Sequence, residues 1–525
     1  MCMLSMLLGG AATSLAEGES QDQQALFIRE YRVKGVTLLN GAEIGEVVYP
    51  FLGPGRTADD VEQARAALEK AFHEKGFQTV SVQIPPQAGR GGVVMLEAVE
   101  TKVGRLRVRG AKYFLPSEIR RSAPALAEGK VPNFTEVTRD IVALNQLADR
   151  RVTPELKPGI APGTVDIDLK VEDKLPMHGS IELNNRRSPD TSELRLNGSL
   201  NYNNLWQRGH SIGGSFQISP EELDDVKVYS GYYLARFREV SWLSLLVSGT
   251  KQDSNVSTLG GVAVAGRGEI LGFRALITLP PGKDFYQSLS VGMDYKHFRQ
   301  AVTLGLDPLN GLSDTTETPI SYYPITAAYN ASWIGKNYLT EFNAGLTFHL
   351  RGMGSEGEQF DENRFRADGS FIYLRGDLAH TRDLPLGFEA FGKVQGQLSD
   401  QPLVSSEQIS GGGLNTVRGY LEAEVVGDNG VFGALELRTP SLLDWADKEA
   451  NEWRFYAFVE GGILTIHEPL PEQADRFELA SIGLGTRIKI RDFLNGSLDA
   501  GLPLISQTST QSRDPLFSFR VWAEF

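Results

Sequence analysis

Cysteine is almost absent from this chain of 525 residues, since Cys2 is its single example. One cysteine excludes a disulfide framework and a cysteine-based metal site within the chain. Histidine is also scarce, with seven scattered residues and no HExxH pattern, so we expect no metal and no cofactor. A cationic excess is missing too: the formal net charge of −14 argues against a nucleic-acid partner.

Long apolar runs are missing as well. Beyond the N-terminal segment no run of 18 apolar residues occurs, which excludes a transmembrane helix. A membrane-spanning strand needs only about 9–11 residues of alternating polarity, so a transmembrane β-barrel stays open. No Ser-His-Asp, Cys-His or paired-carboxylate arrangement is indicated by spacing, and we expect no catalytic residue and no enzyme activity.

The N-terminal segment MCMLSMLLGGAATSLAEGES is typical of an export signal. An apolar region precedes the small-x-small cleavage site Ser14-Leu15-Ala16, which predicts a signal peptide over residues 1–16. No Lys or Arg precedes the apolar region, so either the natural start lies upstream or the signal is atypical. A buried N-terminal helix is the alternative interpretation. Cys2 does not follow a small-residue lipobox, so a lipoprotein is not predicted.

Residues 27–172 contain an internal repeat. The segment YRVKGVTLLNGAEI matches LRVRGAKYFLPSEI, and Gly35 matches Gly110 at a spacing of about 75 residues. Two copies at this period predict two small domains with one fold. We place these domains at 27–101 and 102–173.

Each copy has the pattern strand, helix, helix, strand, strand. In the first copy Thr57 is the predicted N-cap of the longer helix, and Gly76 is predicted to end it. This β-α-α-β-β order resembles the polypeptide-transport-associated (POTRA) domain. The resemblance implies a domain outside the membrane that binds extended polypeptide, which can join the free edge of a sheet as a further strand. A pair of spacer domains is the alternative.

From about residue 175 to the C-terminal Phe525, polarity alternates with a period of two residues, as in EFNAGLTFHLR. Many of these segments are long and carry charges on their polar faces. This pattern favours a membrane barrel, with lipid on one face of the sheet and a wet interior on the other, over a soluble β-sandwich. At about 10 residues per strand plus turns, residues 175–525 hold about sixteen strands. We therefore predict a mainly β chain, with two β-α-α-β-β domains followed by a transmembrane antiparallel β-barrel around an aqueous channel.

The chain ends on the predicted strand LFSFRVWAEF, whose apolar residues share one face. A C-terminal phenylalanine on such a strand resembles the signal by which outer-membrane barrels of Gram-negative bacteria are recognised for assembly. The resemblance implies that Phe525 is an assembly signal and that the barrel assembly machinery is a partner during biogenesis.

The glycine-rich segment GGGLNTVRGY has no core to bury and carries an arginine between a valine and a glycine. It falls in a predicted loop near residues 399–430, between two barrel strands. Together with the repeats, the barrel pattern and the terminal phenylalanine, it resembles the two-partner secretion transporters (TpsB class, haemolysin secretion/activation proteins) of the POTRA-plus-barrel superfamily. The segment NLWQRGHS at 204–211 resembles the early hairpin of that family.

In that superfamily a V/I-R-G-F/Y motif, at the tip of a loop folded into the lumen, meets an acidic residue of an F-x-D-x-G motif on a barrel strand. The loop motif here consists of Val417, Arg418, Gly419 and Tyr420. The strand motif is FVEGG, with Phe458, Glu460 and Gly462. Glutamate replaces the aspartate of the family, which keeps the charge and lengthens the side chain by one methylene.

Strand alternation in WRFYAFVEGG agrees with this assignment, because it places Tyr456, Phe458 and Glu460 toward the lumen. A lumenal carboxylate can meet an arginine from a loop as a charge-assisted pair. An arginine that is solvated in a flexible loop is the alternative interpretation of Arg418.

The family resemblance implies a translocator in the outer membrane of a Gram-negative bacterium, with its POTRA domains in the periplasm. It would carry an unfolded exoprotein, a haemolysin or adhesin, to the cell surface, with that exoprotein and outer-membrane lipids as partners. Two alternatives stay open: an assembly factor of the same superfamily, and a passive porin or receptor. Many family members begin with a helix that plugs the barrel. Residues 17–26 are too short for a helix and a linker, so either the plug is missing or the sequence is incomplete.

Overall fold

The computed structural model describes residues 26–525 except 88–89, 238–239, 255, 258–263, 266, 305–313, 444–450, 472 and 492. The predicted signal peptide lies outside the described residues. The chain divides into two units, Met1–Lys174 and Leu175–Phe525. No helix in the described ranges is long and apolar enough to cross a membrane.

The first unit contains the same arrangement twice. The first copy consists of β1 (Leu26–Ile28), β2 (Glu30–Lys34), α1 (Gly41–Val48), β3 (Gly53–Arg56), α2 (Ala58–Glu74), β4 (Val80–Gln83) and β5 (Val93–Glu100). The second copy consists of β6 (Lys102–Arg109), α3 (Pro116–Arg121), α4 (Phe134–Leu144), β7 (Arg150–Pro158) and β8 (Thr164–Asp173). Each copy has a three-stranded sheet, in the order β2-β5-β4 or β6-β8-β7. In both, the first strand runs parallel to the central strand and the third runs antiparallel to it.

Local sequence explains the helix boundaries of the first copy. Thr57 caps α2 and forms a capping box with Asp60, which satisfies backbone N–H groups that the first turn leaves free. Gly76, just beyond α2, has φ +95°, a conformation that a glycine adopts without a Cβ clash. The apolar face of α2 (Val61, Ala64, Leu68 and Phe72) is buried in the core of this copy.

The two copies meet where α2 ends and α4 begins. Asn133 caps α4 through its Oδ1, and its Nδ2 donates a hydrogen bond of 2.9 Å to the carbonyl of Lys75. The Phe134 N–H donates to the carbonyl of Gly76 at 2.8 Å. The carbonyl end of one helix therefore binds N–H donors at the start of the other, and their dipoles are arranged head to tail.

The second unit is a closed antiparallel barrel. Its elements are β9 (Met177–Asn184), β10 (Arg195–Leu205), β11 (His210–Ile218), β12 (Lys227–Arg236), β13 (Leu243–Asp253), β14 (Val256–Ser257), β15 (Val264–Ala265), β16 (Arg267–Thr278), β17 (Phe285–Leu304), β18 (Asp314–Tyr322), β19 (Ile325–Ile334), β20 (Tyr338–His349), α5 (Gly357–Asn363), β21 (Phe371–Asp383), β22 (Glu389–Ser399), β23 (Ile409–Gly411), β24 (Val425–Gly427), β25 (Asn429–Arg438), β26 (Asn451–Thr465), β27 (Arg476–Ile490), β28 (Leu494–Pro503) and β29 (Leu516–Glu524). The hairpins β14–β15 and β23–β24 lie outside the barrel sheet, which β9 closes by pairing with β29.

The barrel has sixteen strand positions, which confirms the predicted fold class. One position is shared by β18 and β19, because both pair with the long strand β17, each along a different half. The break between them falls at Tyr323 and Pro324. Proline has no N–H to donate to a ladder, so the strand is interrupted there.

Alternation along β26 shows the two faces of the barrel wall. Phe455 and Val459 are exposed on its outer face, whereas Tyr456, Phe458 and Glu460 are buried inside the barrel. Apolar side chains outside and polar or charged side chains inside are the pattern of a membrane barrel with a wet lumen.

The segment between β22 and β25, residues 400–428, folds into the barrel. We call this segment the inward loop. Its two arms pair as the short hairpin β23–β24. Side chains of this hairpin and of the loop tip pack with lumenal residues of the wall in one apolar cluster: Ile409, Val417, Tyr420, Val425, Phe432, Leu464 and Leu479.

Candidate functional site

The tip of the inward loop brings Arg418 against Glu460 of β26. The Arg418 Nε donates a hydrogen bond of 2.8 Å to Oε1 of Glu460. Its backbone N–H donates to Oε2 at 2.6 Å, and Nη2 lies 2.6 Å from Oε1. Side chain and main chain of one residue thus bind both oxygens of the same carboxylate. The extra methylene of glutamate, compared with the aspartate of the superfamily motif, is compatible with this bidentate geometry.

The guanidinium of Arg418 also lies on an aromatic ring. Its Cζ is 3.6 Å from the centre of the Phe458 ring, in stacking contact. Space for that ring comes from Gly483 on the neighbouring strand β27, because a Cβ there would approach the ring Cζ to 2.2 Å. The ring therefore lies flat against the wall and presents its face to the arginine.

Two further carboxylates bind Arg418 that the sequence analysis did not identify. Glu436 of β25 accepts from Nη2 at 2.8 Å, and Asp499 of β28 accepts from Nη1 at 3.0 Å. The Tyr456 hydroxyl donates to Asp499 at 2.9 Å. Arg418 is only 6% exposed, so its charge depends on these partners rather than on water.

Neighbouring arginines balance the surplus of negative charge. Arg438 donates from Nε to Oε1 of Glu436 at 2.6 Å, and Nη2 of Arg487 lies 3.6 Å from the same oxygen. Arg487 also lies over the Tyr456 ring, 4.7 Å from its centre. The site is a buried network of alternating charges, which can hold the loop without any covalent chemistry.

The other residues of the loop motif fix the backbone around Arg418. The Tyr420 hydroxyl donates to the carbonyl of Ile505 at 2.8 Å, and its ring is fully buried. Gly419, with φ +91°, lies directly against Gly501 of β28, where a Cβ on Gly419 would meet the Gly501 carbonyl carbon at 3.0 Å. Val417 is buried in the apolar cluster of the inward loop.

The glycines of the segment GGGLNTVRGY have a packing role. Gly412 and Gly413 have φ of +102° and +90°, a region that favours glycine. A Cβ on Gly413 would come within 2.3 Å of the carboxyl group of Glu422, whose Oε1 accepts from Nε of Arg186 at 2.6 Å. These glycines let the chain turn and come close to a buried ion pair.

Two predicted residues lie away from Arg418. Gly462 of the strand motif gives room to the Phe432 ring, which a Cβ there would approach to 2.1 Å. Phe525 lies at the seam of the barrel: it exchanges backbone hydrogen bonds of 3.0 and 3.1 Å with Gly179, and its ring covers that glycine. Among the described residues no cluster of His, Cys, Asp or Glu could hold a metal ion.

Family comparisons agree with this architecture. The model of the haemolysin secretion/activation protein family ShlB/FhaC/HecB matches residues 163–488. The model of the ShlB-type POTRA domain matches residues 26–101. The first match covers most of the barrel, including the inward loop and the strands β25 and β26 that carry Glu436 and Glu460. Strand β28, which carries Asp499, lies beyond it.

Individual proteins show the same likeness at low identity. The outer membrane transporter CdiB of Dickeya dadantii is 22% identical over 95% of this chain and 86% of its own length. The heme/hemopexin transporter protein HuxB of Haemophilus influenzae is 19% identical over 74% of this chain and 67% of its own length. Among solved structures, CdiB from Escherichia coli superposes with a TM-score of 0.65 at 20% identity, covering 98% of this chain and 93% of that one.

Proposed function

Because the chain belongs to the haemolysin secretion/activation protein family ShlB/FhaC/HecB, whose members are outer-membrane transporters, we propose that it secretes an unfolded exoprotein by the two-partner route. The cargo enters from the periplasm, passes through the barrel lumen and leaves at the cell surface. We further propose that this cargo is a haemolysin or an adhesin.

The observation that carries this proposal is the fixed inward loop. A passive pore has no need of a loop that folds through its lumen and ends on a buried arginine with three carboxylate partners. A transporter that must stay shut without cargo needs such a loop, held by contacts that can be exchanged. We propose that the Val417–Tyr420 motif and its wall partners Phe458, Glu460 and Gly462 form this anchor.

The first unit supports a receptor role. We assign residues 27–101 and 102–173 to two POTRA domains. In each copy, two strands lie at the edges of the sheet, β2 and β4 in the first copy and β6 and β7 in the second. The backbone groups along a sheet edge can bind an extended guest chain whatever its side chains are, which suits an unfolded substrate.

The proposal requires no cofactor, because folding of the cargo outside the cell supplies the driving force. It includes a signal peptide at residues 1–16, which directs the chain out of the cytoplasm. It also includes Phe525 as the signal read by the barrel assembly machinery, after which the finished barrel contacts outer-membrane lipids through its apolar outer face.

Deleting residues 27–172 tests the receptor role. We expect the shortened protein to insert at wild-type levels, shown by heat-modifiable migration of the folded barrel, and to export none of a haemolysin- or adhesin-type exoprotein expressed with it. The full-length chain, expressed with the same cargo, is the control. Export by the shortened protein would contradict the receptor role. A general loss of other barrels from cells without this protein would identify an assembly factor instead.

A further inference from the structure

Glu407 is a further buried charge on the inward loop, besides Arg418 and Glu422, and its side-chain partners all lie on the barrel wall. Its side chain is 1% exposed. The ammonium of Lys296 on β17 lies 2.5 Å from Oε1. The hydroxyls of Tyr322 on β18 and Tyr373 on β21 donate to Oε1 and Oε2 at 2.6 and 2.8 Å. Both carboxylate oxygens are satisfied by residues distant in sequence.

The main chain is held at the same point. The Glu407 carbonyl accepts hydrogen bonds from Nε2 of Gln397 at 3.1 Å and from Nη2 of Arg375 at 3.2 Å. Arg375 in turn donates from Nε to Oε1 of Gln397 at 2.7 Å. The preceding residues Leu403 and Val404 are buried in an apolar cluster that also contains Tyr322 and Tyr373. Loop contact here is therefore as complete as it is at Arg418.

The two points lie on different arcs of the wall. Arg418 binds carboxylates on β25, β26 and β28, whereas Glu407 binds residues on β17, β18, β21 and β22. These strand sets do not overlap, and Glu407 and Arg418 lie on either side of the glycine turn at Gly412 and Gly413. A loop held at one point can swing about it, but a loop held on two arcs has a defined path across the lumen.

We propose that Glu407 is a second anchor of the inward loop. It is a positioning residue that keeps the loop in the lumen when Arg418 separates from its carboxylate partners. This inference rests on the proposed function, since it concerns how the transporter opens. Opening then takes release at both arcs, together with release of the ion pair of Glu422 with Arg186. Release of Arg418 alone swings the loop about Glu407, and release of Glu407 alone swings it about Arg418, so each leaves the lumen partly blocked.

Removing the negative charge of Glu407 tests the second anchor. Glu407→Gln keeps the volume and the acceptor oxygen but leaves the Lys296 ammonium without its counter-charge. Glu362→Gln on α5 is the matched control, because Glu362 is an exposed glutamate on the same barrel. Tyr373→Phe is the second test variant, since it removes one hydrogen bond to Glu407 and keeps the ring. Each is purified as the full chain and checked for a heat-modifiable, folded barrel.

Planar-bilayer recording supplies the readout. We expect the Glu407→Gln channel to open about tenfold more often than wild type, which corresponds to a shift of about 1.4 kcal/mol in the free energy of opening. Each opening should reach only part of the full conductance. We expect Arg418→Ala to open to a different partial conductance, and the double variant to reach a larger one than either. Tyr373→Phe should shift opening in the same direction by less, and Glu362→Gln should match wild type.

Two results would overturn the second anchor: Glu407→Gln and Tyr373→Phe recordings equal to wild type, or a double variant equal to Arg418→Ala alone. Export of cargo is measured separately on the same variants. If wild type exports cargo while the Glu407 recordings are unchanged, the second anchor is wrong and the secretion function stands. If the conductance levels appear as expected while wild type exports nothing, the anchor stands and the secretion function is wrong.

Discussion

Gly419 at the tip of the inward loop and Gly501 on the barrel wall touch through their backbones, so that a Cβ added at Gly501 would lie 2.6 Å from the Gly419 nitrogen. We predict that Gly501→Ala lifts the loop tip and reduces secretion severely while insertion stays normal. Gly433→Ala on β25 is the control, since its Cβ would meet nothing within 4 Å. Equal export by the two variants, measured in culture supernatants, would contradict this close seating.

The contact between Arg418 and Glu460 predicts coupled losses. Breaking a buried pair strands the remaining charge at a cost of about 3–5 kcal/mol, so Arg418→Ala and Glu460→Ala should each reduce secretion much more than insertion. Arg418→Lys should also impair secretion, because an ammonium cannot offer the planar fork or stack on Phe458 in the same way. The measurement is a double-mutant cycle on secretion. Losses that simply add would show that the two residues are not coupled.

Glu436 and Asp499 extend that prediction to the wall. Because each binds one terminal nitrogen of Arg418, we expect Glu436→Gln and Asp499→Asn to weaken the anchor by less than Glu460→Ala. Glu436→Gln also removes the ion pair with Arg438, which does not hold the loop. Bilayer opening frequency ranks the variants. A wall variant as damaging as Glu460→Ala would show that the three carboxylates share the charge equally.

The contact between the Phe525 ring and Gly179 predicts that a larger residue at position 179 impairs assembly. A Cβ at Gly179 would lie 2.5 Å from the Phe525 ring, so Gly179→Val displaces the terminal ring at the seam between β9 and β29. We expect less protein in the outer membrane for Gly179→Val and for Phe525→Ser, measured by immunoblot of membrane fractions. Gly249→Val on β13 is the control, because its Cβ would have only an ordinary contact of 4.0 Å with Leu271. A wild-type amount of Gly179→Val in the outer membrane would contradict a role of the Phe525–Gly179 contact in assembly.

The glycines matched by the internal repeat predict a stability change. Gly35 and Gly110 have φ of +78° and +87°, and a Cβ on either would strike a carbonyl oxygen of the central strand, at 2.3 and 2.5 Å. Alanine at either position should destabilise its own copy by about 2 kcal/mol or more, since left-handed backbone alone costs a non-glycine residue about 1–2 kcal/mol. Gly45→Ala in α1 should instead stabilise the first copy by about 0.5–1 kcal/mol. Hydrogen exchange of the purified protein measures all three.

Whether a feature of the fold or of the site can be predicted from the sequence depends on how far apart in sequence the interacting residues lie. The repeat, the helix caps at Thr57 and Gly76, and the inward direction of Phe458 and Glu460 depend on neighbours in sequence or on strand alternation, and the structure shows each of them. Alternation in ALELR and SLDAG also places Glu436 and Asp499 on the lumenal face. Alternation does not predict which strands pair, and the pairing of β25 to β28 is what brings Glu436 and Asp499 to the same arginine.

Glu407 was missed for a related reason. Its partners come from β17, β18 and β21, and its own segment, SSEQIS, has no periodic pattern. A polar stretch in a long loop is typical of solvated chain, so sequence alone indicates exposure. Only a loop that folds back into the barrel turns such a glutamate into a buried residue with cationic and phenolic partners.

The junction of α2 and α4 has a mechanical consequence. Since Asn133 and Phe134 donate to the carbonyls of Lys75 and Gly76, bending between the two copies at this point would break both hydrogen bonds. If cargo binds at a sheet edge of one copy, as proposed, tension on that cargo would reach the other copy through this joint.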